Sequence, residues 1–333
     1  MSRVSLKDIA IKAKVSSATV SLVLNEKAEE GRISKEVSDR VKKIAEELGY
    51  MPNMSARSLR TGKTKTLGLV VADISNPFFA KLARHIENIA AKKGYQVMFG
   101  SSDESSVKFK DLIGLFIEKN VDGIILTPPQ GSEASIMQLV NRKIPTVLVD
   151  RHIEGLPVSS VQIDNVQAAY RITNMLIEQK CKRIGFVAYN IDLPNIKKRY
   201  EGYVLALKLN NIELDEQLVH SVSFDNFEQN ISDSIKKLVD SKVDSIVFTN
   251  NRVGVQSLLT LRSYDVFSKL KYASIDNADE YVIAQIPIMC VEQPIEGLGS
   301  RALDILFKQI KDTSYDMIES ILLQPKIVNL NQF

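Results

Sequence analysis

Catalytic chemistry has few carriers in this sequence. Its three histidines, His85, His152 and His220, do not form the HExxH arrangement that offers two ring nitrogens to zinc from one helix face. No GxSxG elbow is present to expose a serine nucleophile. Cys181 and Cys290 lack the paired spacing of a metal site or a redox dithiol. Gly62-Lys63-Thr64 ends like a phosphate-binding loop, but Arg57 stands where the first glycine of that loop must be. His85 falls in a helical run, and His152 follows Asp150-Arg151, from where it could touch a ligand. The chain is therefore read as a non-enzyme, with neither cofactor nor metal expected.

Charge carries more information. The 333 residues include 43 Lys plus Arg and 40 Asp plus Glu, and 44% are hydrophobic. That length suits about two domains, and the composition excludes disordered and collagen-like chains. No apolar run approaches the ~18 residues of a membrane span; the strongest, Leu67–Ala72 and Gly123–Leu126, are short. Residues 1–65 hold 14 basic and 8 acidic residues, a net of +6, against 29 and 32 in the remainder, a net of −3. Chance variation of solvated charge is one reading. The other is a basic head that meets a polyanion, most plausibly nucleic acid. The start of the chain has no apolar segment and no cleavage site of the secretory kind. Together with the two unpaired cysteines, this points to the reducing cytoplasm.

The head must come from three short helices. Ser5 caps the first, with Asp8 in its opening turn and Leu6, Ile9, Ala10 and Ala13 along one stripe. Ser16 caps a second over Ser17–Leu24, with Val20 and Leu24 expected inside. A third starts at Ser34, carries Val37, Val41, Ile44 and Leu48, and meets Gly49 where a left-handed cap belongs. This is a helix-turn-helix pattern. A short polar helix capped by Asn53 and a linker to about residue 65 follow. Beyond 66, apolar runs such as Leu67–Ala72, Gly123–Thr127, Thr146–Asp150, Arg183–Ala188, Ser245–Thr249 and Tyr272–Asp276 alternate with amphipathic helices. The pattern implies two doubly wound lobes of parallel sheet, with ligands bound beyond the carboxyl ends of the strands.

Asp8-Ile9-Ala10, Ala13-Lys14-Val15-Ser16 and Thr19-Val20-Ser21-Leu22-Val23-Leu24-Asn25 resemble the head of lactose-repressor-type (LacI/GalR) transcription factors. The likeness continues through Tyr50-Met51-Pro52-Asn53, Ala56-Arg57-Ser58-Leu59, Asp73-Ile74-Ser75-Asn76-Pro77-Phe78-Phe79, Val149-Asp150-Arg151, Arg199-Tyr200-Glu201-Gly202-Tyr203 and Gln293-Pro294. It spans nearly the whole chain. The resemblance implies an all-α helix-turn-helix headpiece (1–50), a hinge helix and linker (51–65), and an α/β sensing body like the periplasmic binding proteins (66–333). The first lobe would take about 66–162 and 294–321, and the second 163–293 and 322–333. It also implies a homodimer on double-stranded operator DNA, a small-molecule effector in the body, and a cytoplasmic, nucleoid-associated location. A transport-binding protein would share the body but not the head.

By family position, Ser17, Ala18 and Leu22 face bases, while Ser16, Thr19, Ser21 and Asn25 hold backbone or cap the helix. Leu22 stands where arginine is common, so guanine preference at that base pair should be weak. Packing in the head is the other reading of Leu22. Lys14 stands where the turn usually has glycine. In the hinge, Asn53, Ala56, Arg57 and Arg60 surround Leu59, an apolar wedge able to kink the duplex from the minor groove. For the effector, the family positions are Asn76, Phe78, Phe79, Asp150, Arg151, Arg199, Asn250, Asp276 and Gln293, with Phe227 as a second stacking face. A sugar or sugar derivative leads, with a purine or other metabolite behind. The plain readings are a surface ion pair for Asp150-Arg151 and a strand-end cap for Asp276. Leu82, Ile86 and Ile89 are expected partly at the dimer face and partly on the sheet.

Overall fold

The structure, a computed structural model, describes residues 4–50, 62–189, 192–312 and 317–330. The chain divides into two compact units, Met1–Thr64 and Lys65–Phe333.

The first unit contains α1 (Leu6–Ala13), α2 (Ser17–Leu24) and α3 (Lys35–Glu47). Ser5 and Asp8 form a reciprocal cap: the Ser5 N–H donates to Asp8 Oδ2 (2.8 Å), and the Asp8 N–H to Ser5 Oγ (3.4 Å). That backbone bond from Ser5 holds the Asp8 carboxyl below the ordinary range. Lys14 ends α1 in the left-handed region (φ 54°, ψ 47°), which costs about 1 kcal/mol relative to glycine. Ser16 and Ser34 start the next two helices by accepting from the Thr19 and Val37 N–H groups. Gly49 closes α3 at φ 61°. Ile9, Ala10, Ala13, Val20, Val23, Val41 and Ala45 make the core. In α2 it is Val23, three residues from Val20, that is fully buried; Leu24 lies at the margin, contrary to the expected pairing.

The second unit holds two six-stranded sheets. The first runs β11-β5-β4-β3-β1-β2, all parallel, with β1 (Thr66–Val71), β2 (Gln96–Ser101), β3 (Gly123–Leu126), β4 (Thr146–Val149), β5 (Ser159–Ile163) and β11 (Ser320–Leu323). The second runs β12-β10-β9-β8-β6-β7, with β6 (Ile184–Tyr189), β7 (Val219–Val222), β8 (Ser245–Phe248), β9 (Lys271–Ile275), β10 (Ile288–Glu292) and β12 (Lys326–Leu330). Only β12 pairs antiparallel there.

Strand residues of the first sheet alternate between its two faces. Leu69 and Val71 face α4 (Pro77–Lys92) and α12 (Ile295–Lys311), while Val70 faces α5 (Ser106–Glu118) and α6 (Glu133–Asn141). In the second lobe, α7 (Asn165–Glu178), α8 (Pro194–Leu209), α9 (Phe227–Asp240), α10 (Asn251–Leu261) and α11 (Asp279–Ala284) share one core with the sheet. The chain passes between lobes at 163–164, 293–294 and 324–325. The last passage falls after Leu323, two residues beyond the 321–322 boundary read from the sequence, because Leu322 and Leu323 still pair with Gln162 and Ile163.

Leu82 and Ile86 of α4 are wholly buried in their own lobe, and Ile89 packs against the same core. What remains outside is a groove of about 390 Å³ between α4 and the edge strand β2, lined by Ile74, Ala83, Arg84, Val97 and Phe99.

Candidate functional site

In the head, Ser16, Ser17 and Ala18 are exposed at the start of α2, where free N–H groups and the helix dipole favour a phosphate oxygen. Ser16 Oγ lies 2.9 Å from Thr19 Oγ1, and Asn25 Nδ2 donates to the Ser21 carbonyl (2.6 Å). Leu22 is half-buried: a Cβ placed on Gly31 would lie 2.6 Å from Leu22 Cδ1. The absence of a side chain at Gly31 is thus what lets Leu22 fold down beside Ile33. Asn53, Ala56, Arg57, Leu59 and Arg60 lie outside the described residues.

In the body, the carboxyl ends of both sheets face one cavity. Two aspartates occupy matching positions in it. Asp150 follows β4 and Asp276 follows β9; both are left-handed (φ 68° and 78°), and each donates its N–H to the neighbouring strand, at Val161 O and Val291 O. A left-handed non-glycine residue stores strain. Here it turns each carboxylate off the sheet edge and into the space between the lobes. Burial pushes Asp150 up to about 6, opposed by Arg151 and Arg199 and assisted by Asp276 and Glu104. Burial also raises Asp276, opposed by Arg199 and by the bond from Gln293.

Three arginines line the same cavity. Arg199 is 2% exposed; its Nε donates to Asn165 Oδ1 (2.8 Å) and its Nη1 to the Thr249 carbonyl (2.5 Å). Burial lowers its pKa despite Asp276 and Asp150. Arg151 makes a two-pronged contact with Glu104 (2.7 and 2.5 Å) and lies 3.7 Å from Asp150. Burial, the largest single influence, opposes its charge, but Glu104, Asp150 and Tyr189 together raise its pKa. Arg252, in the first turn of α10, reaches Asp73 of the other lobe (2.8 Å). Two more bonds cross the gap: Asn251 Nδ2 donates to Asn76 Oδ1 (3.1 Å), and Asn195 Nδ2 to Asp150 Oδ2 (3.2 Å). Gln293, on a lobe crossing, donates to Asp276 Oδ1 (2.5 Å), while its Oε1 is buried without a hydrogen-bond partner, as is the Tyr189 hydroxyl.

Nine of the ten expected effector positions line this cavity: Asn76, Phe78, Phe79, Asp150, Arg151, Arg199, Asn250, Asp276 and Gln293. Phe227 does not line it. Its ring lies beneath Arg252, whose guanidinium carbon is 4.8 Å from the ring centroid. Asp73, Glu104, Tyr189, Asn195, Phe224 and Arg252 also line the cavity, and the sequence reading missed them. Asp73 directly follows the apolar run Leu67–Ala72 at a strand end, which was signal enough. Glu104 and Phe224 sit in loops whose direction no spacing rule specifies. The free space is only about 40 Å³, enough for a few waters at about 10–15 Å³ each. Phe78, Asp276 and Gln293 are shared with a wider recess of about 470 Å³ along the 293–294 and 324–325 crossings. His152 lies off the cavity, with Nδ1 3.2 Å from Ser160 Oγ.

Comparison with known proteins decides the family. Residues 5–53 match the model of bacterial regulatory proteins of the lacI family, and residues 67–300 that of a periplasmic binding protein domain. The HTH-type transcriptional repressor CytR of Escherichia coli (strain K12) is 33% identical over 312 residues, 92% of this chain and 90% of that one. The chain belongs to the LacI family.

Among solved structures, the regulator CelR in complex with cellobiose is similar over 99% of this chain and all of that one (TM-score 0.73, 25% identity). The lac repressor dimer bound to operator shares the fold over 98% of both chains (TM-score 0.85, 18% identity). This LacI-family chain is accordingly a DNA-binding transcriptional regulator and not an enzyme. Among the described residues no helix is long and apolar enough to cross a membrane.

Proposed function

We propose that this regulator binds a sugar or sugar derivative between the lobes of its body, and that occupancy sets the operator affinity of its head. One observation carries the reading. Asp150 and Asp276 enter one cavity from matching strand ends of two lobes, with the charge of Arg199 acting on both and Gln293 bonded to Asp276. Carboxylates and guanidinium groups in fixed, buried positions are the partners that vicinal hydroxyls need. Phe78 and Phe79, in edge contact at 4.9 Å, offer apolar surface to the C–H face of a ring. CelR was solved with cellobiose, which supports the class of ligand. Because both lobes contribute, a ligand biases their separation.

In the head, the proposed base-facing residues are Ser17, Ala18 and Leu22, with Ser16, Thr19, Ser21 and Asn25 on the backbone; the hinge contributes Asn53, Ala56, Arg57, Leu59 and Arg60. The proposed outcome of DNA binding is repression, exerted at the nucleoid. The test is a thermal-shift panel of D-ribose, cellobiose, fructose 1-phosphate and adenosine on the full chain, followed by operator binding with each hit. A sugar that raises the midpoint and changes operator affinity upholds the reading. A shift with adenosine alone favours a purine-type effector, the second reading, which the aromatic group Tyr189 and Phe224 supports.

A further inference from the structure

Arg252 occupies the part of the cavity that a flat ligand would want. Its guanidinium carbon lies 4.7 Å from the Phe224 ring centroid and 4.8 Å from that of Phe227. Tyr189 contacts both rings edge-on at 5.7 and 6.0 Å, so the three aromatics form one wall. Arg252 Nη1 at the same time donates to Asp73 Oδ2, and Asp73 Oδ1 is already engaged by the Ser75 N–H and hydroxyl. The group is planar, cationic, and presents N–H donors to a carboxylate while its faces lie on phenyl rings. With this side chain in place the cavity has about 40 Å³ of free space, far below the roughly 300 Å³ at which ordinary ligand sites begin.

We propose that Arg252 is the specificity-determining residue of the cleft, an internal occupant of the Phe224–Phe227 wall. It gives way to effectors that carry a flat, N–H-bearing ring in addition to a polyol. A bare sugar engages Asp150, Arg199, Asp276 and Gln293 and leaves the guanidinium on its rings. A sugar bearing an amino-substituted ring supplies both the stacking face and a donor for Asp73. Its entry breaks the Asp73–Arg252 bridge, so recognition and the release of one lobe from the other become a single event. This rests on the reading of the cleft as the effector site, and the test separates the two.

Full-length wild type, Arg252→Ala and Arg252→Lys are compared in two measurements. The first needs no effector: hydrogen exchange of residues 73–76. Exchange there rises in Arg252→Ala and returns toward wild type with about 20 mM guanidinium chloride, far below unfolding concentrations. Arg252→Lys, which keeps the charge but not the plane, lies between. The second is calorimetric titration with D-ribose and adenosine. Removing an internal competitor worth about 1.4 kcal/mol tightens adenosine about tenfold in Arg252→Ala, while D-ribose changes less than about threefold on the same scale. Unchanged exchange in Arg252→Ala overturns the proposal, as does raised exchange that guanidinium fails to reverse. Adenosine that binds wild type and Arg252→Ala with the same measurable affinity also overturns it. Guanidinium rescue with no heat from either probe upholds the internal occupant and counts against the sugar-effector reading instead.

Discussion

Asp150→Asn should make the protein more stable at neutral pH although it deletes a charge that Arg151 and Arg199 favour. In the folded chain burial moves Asp150 from an ordinary value near 3.8 to about 6. At about 1.4 kcal/mol per pH unit, holding it ionised at pH 7.5 costs about 3 kcal/mol. The sign follows from the raised folded value: the contribution is fully present below the unfolded pKa and is lost as pH climbs through about 6. Asparagine is never ionised and so avoids the loss. It gives up about 1 kcal/mol in the bond from Asn195. The variant should therefore lead wild type by about 2 kcal/mol at pH 7.5 and match it near pH 4.5. Asp276 shifts in the same direction but is common to both proteins, so the difference isolates Asp150. Urea unfolding of both chains at half-unit steps from pH 4.5 to 8 reads this directly. A gap that is independent of pH, or a variant weaker than wild type at pH 7.5, would refute the argument.

Three other substitutions probe separate links. Gly202→Ala places a Cβ 2.2 Å from the Val166 carbonyl on the facing helix α7, where backbone must move; a cost of about 3 kcal/mol, or roughly 6–12 °C in Tm, is expected by calorimetry. Arg199→Met leaves Asp150 and Asp276 facing each other without their shared cation, which should destabilise the body by about 3–5 kcal/mol in urea titration. Leu22→Arg supplies the guanidinium that Leu22 lacks and should introduce a guanine preference of about 1–3 kcal/mol at one base pair, read by selecting operators from random DNA.

Much of the fold was legible because two periodicities and a few caps report it. Ser5, Ser16 and Ser34 each start a helix of the head, and the apolar runs that became β1, β3, β4, β6, β8 and β9 are central strands buried on both faces. Of the strands that escaped, β10 is as apolar and as interior as these, while the others are of another kind. β5 carries Ser159, Ser160 and Gln162, all buried, so its polarity disguised a central position. β7, β11 and β12 lie at sheet edges with mixed burial, where apolar alternation is weak. The cavity divides in the same way. Asp150 and Asp276 were named from their family positions, and the structure puts both at strand ends on the cavity. Arg252 was missed because a long side chain on a helix start gives no hint, in one dimension, of which lobe it will reach. Phe227, expected as a second stacking face for the effector, does not line the cavity, because Arg252 covers its ring, a feature of three-dimensional packing that no spacing shows.

The three passages between the lobes at 163–164, 293–294 and 324–325 act together as a leaf spring. A single connecting strand would let the lobes swivel freely, whereas three side by side resist twisting and yield most easily in one direction of bending. Pro294 and Pro325 stand in two of them and restrict the backbone angle there. The path of the motion is then a property of the spring, and the contents of the gap determine only how far along that path the body rests. The lining of the gap can therefore be rewritten for a new molecule by side-chain exchange while the stroke delivered by the body keeps its direction.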